Sequence, residues 1–186
     1  RGASKGEGLG NQFLAHIREV DAVLHVLRCF DDERVAHMDG SVDPLRDAEV
    51  VETELMLADL DTCEKAMVRL GHLIRSDAKR VSREIVLERD TLAKAAEGLK
   101  AGRPVRTQGL TPDELVALRS TQLLTCKPML YAANVNEAEA SGDATPTVEA
   151  LWKSYCPDRV LTISARIEAE IGQHTAEERK AFLAEL

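Results

Sequence analysis

The chain has 186 residues, of which 44% are hydrophobic and 30% charged, and its net charge is −8. That is enough apolar material for one sizeable core and a small second unit, and the acidic balance argues against a protein that coats nucleic acid indiscriminately. No apolar run approaches the roughly 20 residues that span a bilayer, and aromatics, at 3%, offer no stacking platform for single-stranded nucleic acid.

The N-terminal stretch carries Gly2, Gly6, Gly8 and Gly10 and lacks the apolar core of a signal peptide. The chain begins without Met, as a trimmed chain does. Gly6-Glu7-Gly8-Leu9-Gly10 is no phosphate-binding loop, because no strand precedes it and no Lys-Ser/Thr pair follows. Its glycines suit a segment that changes backbone conformation; the alternative is a flexible tail. Asn11 to Val20 reads as a short helix. Asp21 to Phe30 is an apolar run with Val23, Leu24, Val26 and Leu27, whose length and β-branching suit a buried strand of a parallel sheet.

From about Asp43 to Ser120 the pattern is helical. Met56, Leu60, Cys63, Met67, Leu70 and Ile74 alternate spacings of four and three. Ala78, Val81, Ile85, Leu92, Ala95 and Leu99 keep that register, interrupted by Glu88. Two seams joined by a polar turn at Ser76-Asp77 predict an antiparallel helical hairpin. Gly102 and Pro104 end its second helix. Thr111, Pro112 and Glu114 supply a cap, a first-turn proline and a capping box for another. Nine Lys/Arg against five Asp/Glu lie between Arg75 and Arg106, and three against seven between Arg46 and Arg69. Two helices of complementary charge is the simple reading; a basic helix touching RNA is the functional one.

The chain then returns to α/β alternation. Pro128 to Val135 and Arg159 to Ser164 read as short buried strands, with Thr145 to Tyr155 a helix between them and Thr175 to Glu178 opening a last one. A sheet interrupted by a helical excursion is the expected architecture. Residues 1–43 and 121–186 form its α/β parts, and 44–120 the insertion. Cys29, Cys63, Cys126 and Cys156 are scattered, with no Cys-x-x-Cys pair, and read as reduced thiols of a cytoplasmic protein. His16, His25, His72 and His174 show no ligand spacing, and His25, within an apolar strand, reads as a hydrogen-bonded core residue.

Three pieces, in order, resemble the YchF (Obg-like ATPase) family of Obg-related P-loop NTPases. They are RGASKGEGLGNQFLAHIREVDAVLHVLRCFDD at 1–32, DAEVVETELMLADLDTCEKAM at 47–67, and KPMLYAANVNE at 127–137 with ISARIEAEI at 163–171 behind it. The resemblance implies a partial P-loop NTPase sheet with a coiled-coil insertion. It places Gly6, Gly8 and Gly10 in the switch after an Asp-x-x-Gly magnesium motif. Asn134-Val135-Asn136-Glu137 stands where GTPases carry Asn-Lys-x-Asp, and in the family Asn-x-x-Glu accompanies preference for ATP over GTP. Guanine offers a carboxylate two donors, whereas adenine offers an amino group and a ring acceptor. Asn134, Val135 and Glu137, with Ser164 and Ala165 of a Ser-Ala-Lys-like element, are thus implied nucleotide-binding residues. On its own Asn134-Val135-Asn136-Glu137 reads as a polar strand exit; the flanking match is what gives it the nucleotide reading.

The resemblance also implies a catalytic role for His37. The family lacks the water-orienting glutamine of Ras-like proteins, and an imidazole titrating near neutrality can position or polarise the attacking water. A surface histidine without a role is the alternative. Mg²⁺ with ATP is the implied cofactor, its protein ligands expected upstream of Arg1, where the phosphate-binding loop should lie. The family's C-terminal TGS domain is expected after Leu186. The implied function is a ribosome-associated ATPase that hydrolyses ATP to ADP and phosphate as a translation-linked switch. Its partners are the ribosome or ribosomal RNA, with no membrane and no specific DNA, and this stretch alone is expected to be inactive. The competing reading is a helical-hairpin interaction module on a non-catalytic α/β scaffold.

Overall fold

The computed structural model describes residues 8–32, 41–76, 81–140, 144–175 and 177–179. By contact density the chain forms two compact units, Arg1–Val23 with Glu49–Pro128, and Leu24–Ala48 with Met129–Leu186. The first unit therefore takes in the N-terminal helix α1 (Gly8–Glu19) together with the long helical stretch.

In the helical unit, α2 spans Pro44–Ser76, and α3 (Arg83–Lys100) starts behind Ser82, whose side chain caps it by accepting from Ile85 N–H. Of the polar turn expected at Ser76-Asp77, Asp77 lies outside the described residues. The two helices share one core. Cys63, Ala66 and Leu70 of α2 pack with Leu92, Ala95, Ala96 and Leu99 of α3, and Met56, Leu60, Met67 and Ile85 lean against them. Lys100 of α3 pairs with Glu64 of α2 at 3.3 Å, and Arg106 pairs with Glu52, so complementary charge does join the two segments. Gly102, at φ +72°, takes the left-handed conformation just past the end of α3, where a side chain would be strained. Thr111 and Glu114 form the expected capping box on α4 (Pro112–Ala117).

The strongest polar feature of this unit has no counterpart in the hydrophobic pattern. Asp59, in the middle of α2, is fully buried. Its carboxylate accepts from Leu124 N–H at 2.8 Å, and from Thr125 N–H and Thr125 Oγ1, each at 2.7 Å. Burial pushes its carboxyl above the ordinary range, opposed by these hydrogen bonds and by the Arg18 charge. Asp59 thus holds the 3₁₀ turn Leu124–Cys126 against α2. Lys127, beyond that turn, ties to α1 by donating to the carbonyls of Arg18 and Val20.

Among the described residues the sheet has three strands in the order β1 (Val23–Arg28), β2 (Met129–Asn134), β3 (Val160–Ile163). β2 and β3 run parallel, with Tyr131 opposite Val160 and Asn134 opposite Ile163. At the two ends of β1, Val23 N–H donates to Pro128 O and Cys29 N–H to Asn134 O, which makes that pair parallel too. In the second unit, α6 (Pro146–Tyr155) buries Val148 and Leu151, and its last residue, Tyr155, stacks on Tyr131 at 4.1 Å between ring centroids.

β1 corrects the sequence reading in two ways. It is not buried on both faces: Leu24 and Val26 are 54% and 55% exposed, and only its other face is covered. His25 packs its ring against Tyr131 at 6.0 Å, but its Nδ1 is buried without a hydrogen-bond partner among the described residues. Burial lowers its pKa, partly offset by the Asp47 charge. All four cysteines carry free thiols, and burial pushes Cys29 up to about 11 and Cys63 to about 12. Among the described residues no helix is long and apolar enough to cross a membrane.

Candidate nucleotide site at the strand ends

Open parallel sheets present ligands at the carboxyl ends of their strands. A cavity of about 450 Å³ lies there, within the range of small-molecule sites. Phe30 and Asp32 line it after β1, Asn134 to Glu137 after β2, and Ser164, Ala165 and Arg166 after β3.

Local hydrogen bonds hold these three exits together. Asn134 Oδ1 accepts from Ala165 N–H at 2.9 Å. One step on, Val135 N–H donates to Ile163 O at 2.8 Å, while the Val135 side chain is buried. Glu137 begins the short helix α5 (Glu137–Ala140), and its carboxylate meets Arg166 Nε at 3.0 Å. Asn136 N–H donates to the Glu139 carboxylate at 3.3 Å. Ser164 caps α7 (Ala165–Ile171) by position, without a side-chain cap bond, and its buried Oγ has no partner among the described residues. After β1, Arg28 lies over the Phe30 ring at 5.0 Å and donates to the carbonyls of Phe30 and Asp32.

Five of the residues singled out from sequence, Asn134, Val135, Glu137, Ser164 and Ala165, therefore line one cavity. Gly8 and Gly10 fall in the first turn of α1, in helical backbone. Gly6 and His37 lie outside the described residues. Sequence reasoning missed Phe30, Asp32 and the Arg28 clamp, and gave Arg166 no role. The available signal was position: residues just beyond one strand end share a site with those beyond its neighbours. Among the described residues no group of three His, Cys, Asp or Glu side chains is placed to hold a metal ion.

The chain has relatives among known proteins. The chain is 40% identical over its whole length to the ribosome-binding ATPase YchF of Bacillus subtilis, and 41% identical to that of Haemophilus influenzae. It also superposes on the structure of the Schizosaccharomyces pombe YchF GTPase with a TM-score of 0.81 at 29% identity, over 97% of this chain and 49% of that one. The chain belongs to the YchF family. It spans about half the length of the curated YchF relatives it matches. No protein-family model matches it. The α/β class of the chain, a parallel sheet with many helices, matches that YchF structure.

Proposed function

We propose that the YchF protein carrying this chain is a cytoplasmic P-loop ATP hydrolase that acts with the ribosome, and that the strand-end cavity is its base-binding subsite. The observation that carries this reading is the bond from Ala165 N–H to Asn134 Oδ1, which closes the β2 and β3 exits around one cavity. With its oxygen so engaged, the Asn134 amide retains its NH₂ donors for a purine ring nitrogen. Glu137, on the same cavity, offers a carboxylate to an exocyclic amine. The names of the relatives, ribosome-binding ATPase and GTPase, fit a nucleotide hydrolase. ATP is preferred over GTP because Asn134-Val135-Asn136-Glu137 replaces Asn-Lys-x-Asp. His37 assists hydrolysis, as the family resemblance implies. Magnesium bound with ATP would neutralise phosphate charge, with its protein ligands expected upstream of Arg1. By itself the 186-residue chain hydrolyses nothing, since it has no phosphate-binding loop.

Equilibrium titration with labelled ATP and GTP tests the reading, on this chain and on the protein extended upstream. The extended protein should bind ATP more tightly, and Glu137→Asp should raise its GTP affinity relative to ATP. Equal or tighter GTP binding by the unmutated protein would remove the adenine reading.

A further inference from the structure

The helical unit carries a groove that the nucleotide site does not use. It lies along the N-terminal half of α3, beside α4 and the turn after it, with a volume of about 480 Å³. Its floor is apolar: Leu87 of α3, and Val116 and Ala117 of α4. Leu87 is 37% exposed and Val116 58%, so this floor faces solvent. Its rim is acidic, with Glu84, Glu88 and Asp113 against one basic residue, Arg119.

The walls are braced. Lys94 of α3 reaches the Glu114 carboxylate of α4 at 3.0 Å, and Ser120 Oγ donates to Glu88 at 3.0 Å. The capping box at Thr111 fixes where α4 begins. A fixed apolar trough between two helices is the geometry that receives an amphipathic helix, apolar side chains down and charged ones on the rim.

Charge decides which partner fits. α3 lies in the stretch whose lysines and arginines suggested RNA, but of its four cations Arg89 is turned to Asp90 at 2.7 Å, Lys94 to Glu114 and Lys100 to Glu64, and Arg83 lies next to Glu84 of the acidic rim. What the groove presents outward is three carboxylates against one cation, a net negative rim that repels a phosphate backbone. We propose that this groove is a docking site for a Lys/Arg-rich amphipathic helix of another protein, whose aliphatic side chains sit on Leu87 and Val116 and whose cations meet Glu84, Glu88 and Asp113.

The test uses the 186-residue chain and a panel of fluorescent helical peptides with Leu at i, i+3, i+4 and i+7 and Lys or Arg elsewhere. Anisotropy should report saturable binding that weakens with added salt, and peptides with Glu at the basic positions should not bind. Val116→Ser should weaken binding roughly tenfold, the effect of losing one apolar anchor. Glu84→Gln/Glu88→Gln/Asp113→Asn should weaken it about tenfold or more and flatten the salt dependence. The two changes alter exposed positions independently, and circular dichroism checks that each variant keeps its helices. No binding by any basic peptide, or binding indifferent to both changes, overturns the proposal. So does an RNA duplex that binds here and binds more tightly once the three acids are neutralised.

Discussion

Single side chains carry two consequences that the hydrophobic pattern did not announce. His25 is held neutral by burial against Tyr131. The unfolded chain takes up a proton on this residue below about pH 6.5, where the folded chain resists it. Between those two pKa values the unfolded state binds more protons, so stability rises with pH there and is lost on acidification. Urea unfolding should therefore show the chain weaker at pH 5.5 than at pH 7.5, and His25→Phe should reduce that difference; an unchanged difference would place the titration elsewhere. Asp59 works in the opposite sense to a solvated acid. Three donors converge on its two oxygens. Asp59→Asn turns an NH₂ group toward at least one of those N–H donors and should cost about 1–3 kcal/mol, the penalty of a buried donor left unpaired. Denaturation midpoints of the two proteins at neutral pH check this, and equal midpoints would show that the turn is held by something else. Sequence reading missed Asp59 for a physical reason. An acid in a charged helix reads as solvated unless its partners are known, and these partners lie some 65 residues away.

At the scale of elements, more was legible. The spacing that ran from Met56 through Leu70 and from Ile85 to Leu99 does lie on the shared core of α2 and α3. Caps at Thr111 and Thr175 form as their spacing predicts, because a cap needs only residues three apart. Strand positions in β2 and β3 came within one or two residues of those observed. β1 was placed correctly but its burial was not, since a continuous apolar run names a strand without saying whether both faces are covered. The site was legible only in part, and for the same reason: Asn134 and Glu137 belong to one short motif, whereas Phe30, Asp32 and Arg166 join it through the sheet. Leu70, 4% exposed within the α2–α3 core, gives the element-scale prediction. Leu70→Ala should destabilise the helical unit by about 2–5 kcal/mol. Nucleotide binding by the extended protein should persist where the helical unit has begun to lose ellipticity. If both signals vanish together at low temperature, the units unfold as one cooperative body.

For the whole molecule, the sheet itself argues that this stretch is not self-sufficient. Parallel sheets are covered on both faces, because their strands are apolar on both. His25 touches Tyr131, so these two share a face with Val160, opposite Tyr131. Side chains alternate along strands, so Leu24 and Val26 fall on the opposite face, with Leu130 and with Leu161, which stands opposite Ala132. These four are 54%, 55%, 40% and 51% exposed. Exposed apolar side chains scattered singly are ordinary; four on one face of a small parallel sheet form a surface that seeks cover. The YchF relatives are about twice as long as this chain, which leaves ample sequence to supply it. The 186-residue chain should therefore bind a hydrophobic dye such as anilinonaphthalene sulfonate, and should self-associate in sedimentation as its concentration rises. Val26→Thr, which keeps the β-branching, with Leu161→Thr, which puts a smaller β-branched residue in the strand, should diminish both effects without loss of helicity. The protein extended to full family length should show neither effect. A strictly monomeric chain that leaves the dye dark would mean that this face is covered from within the 186 residues.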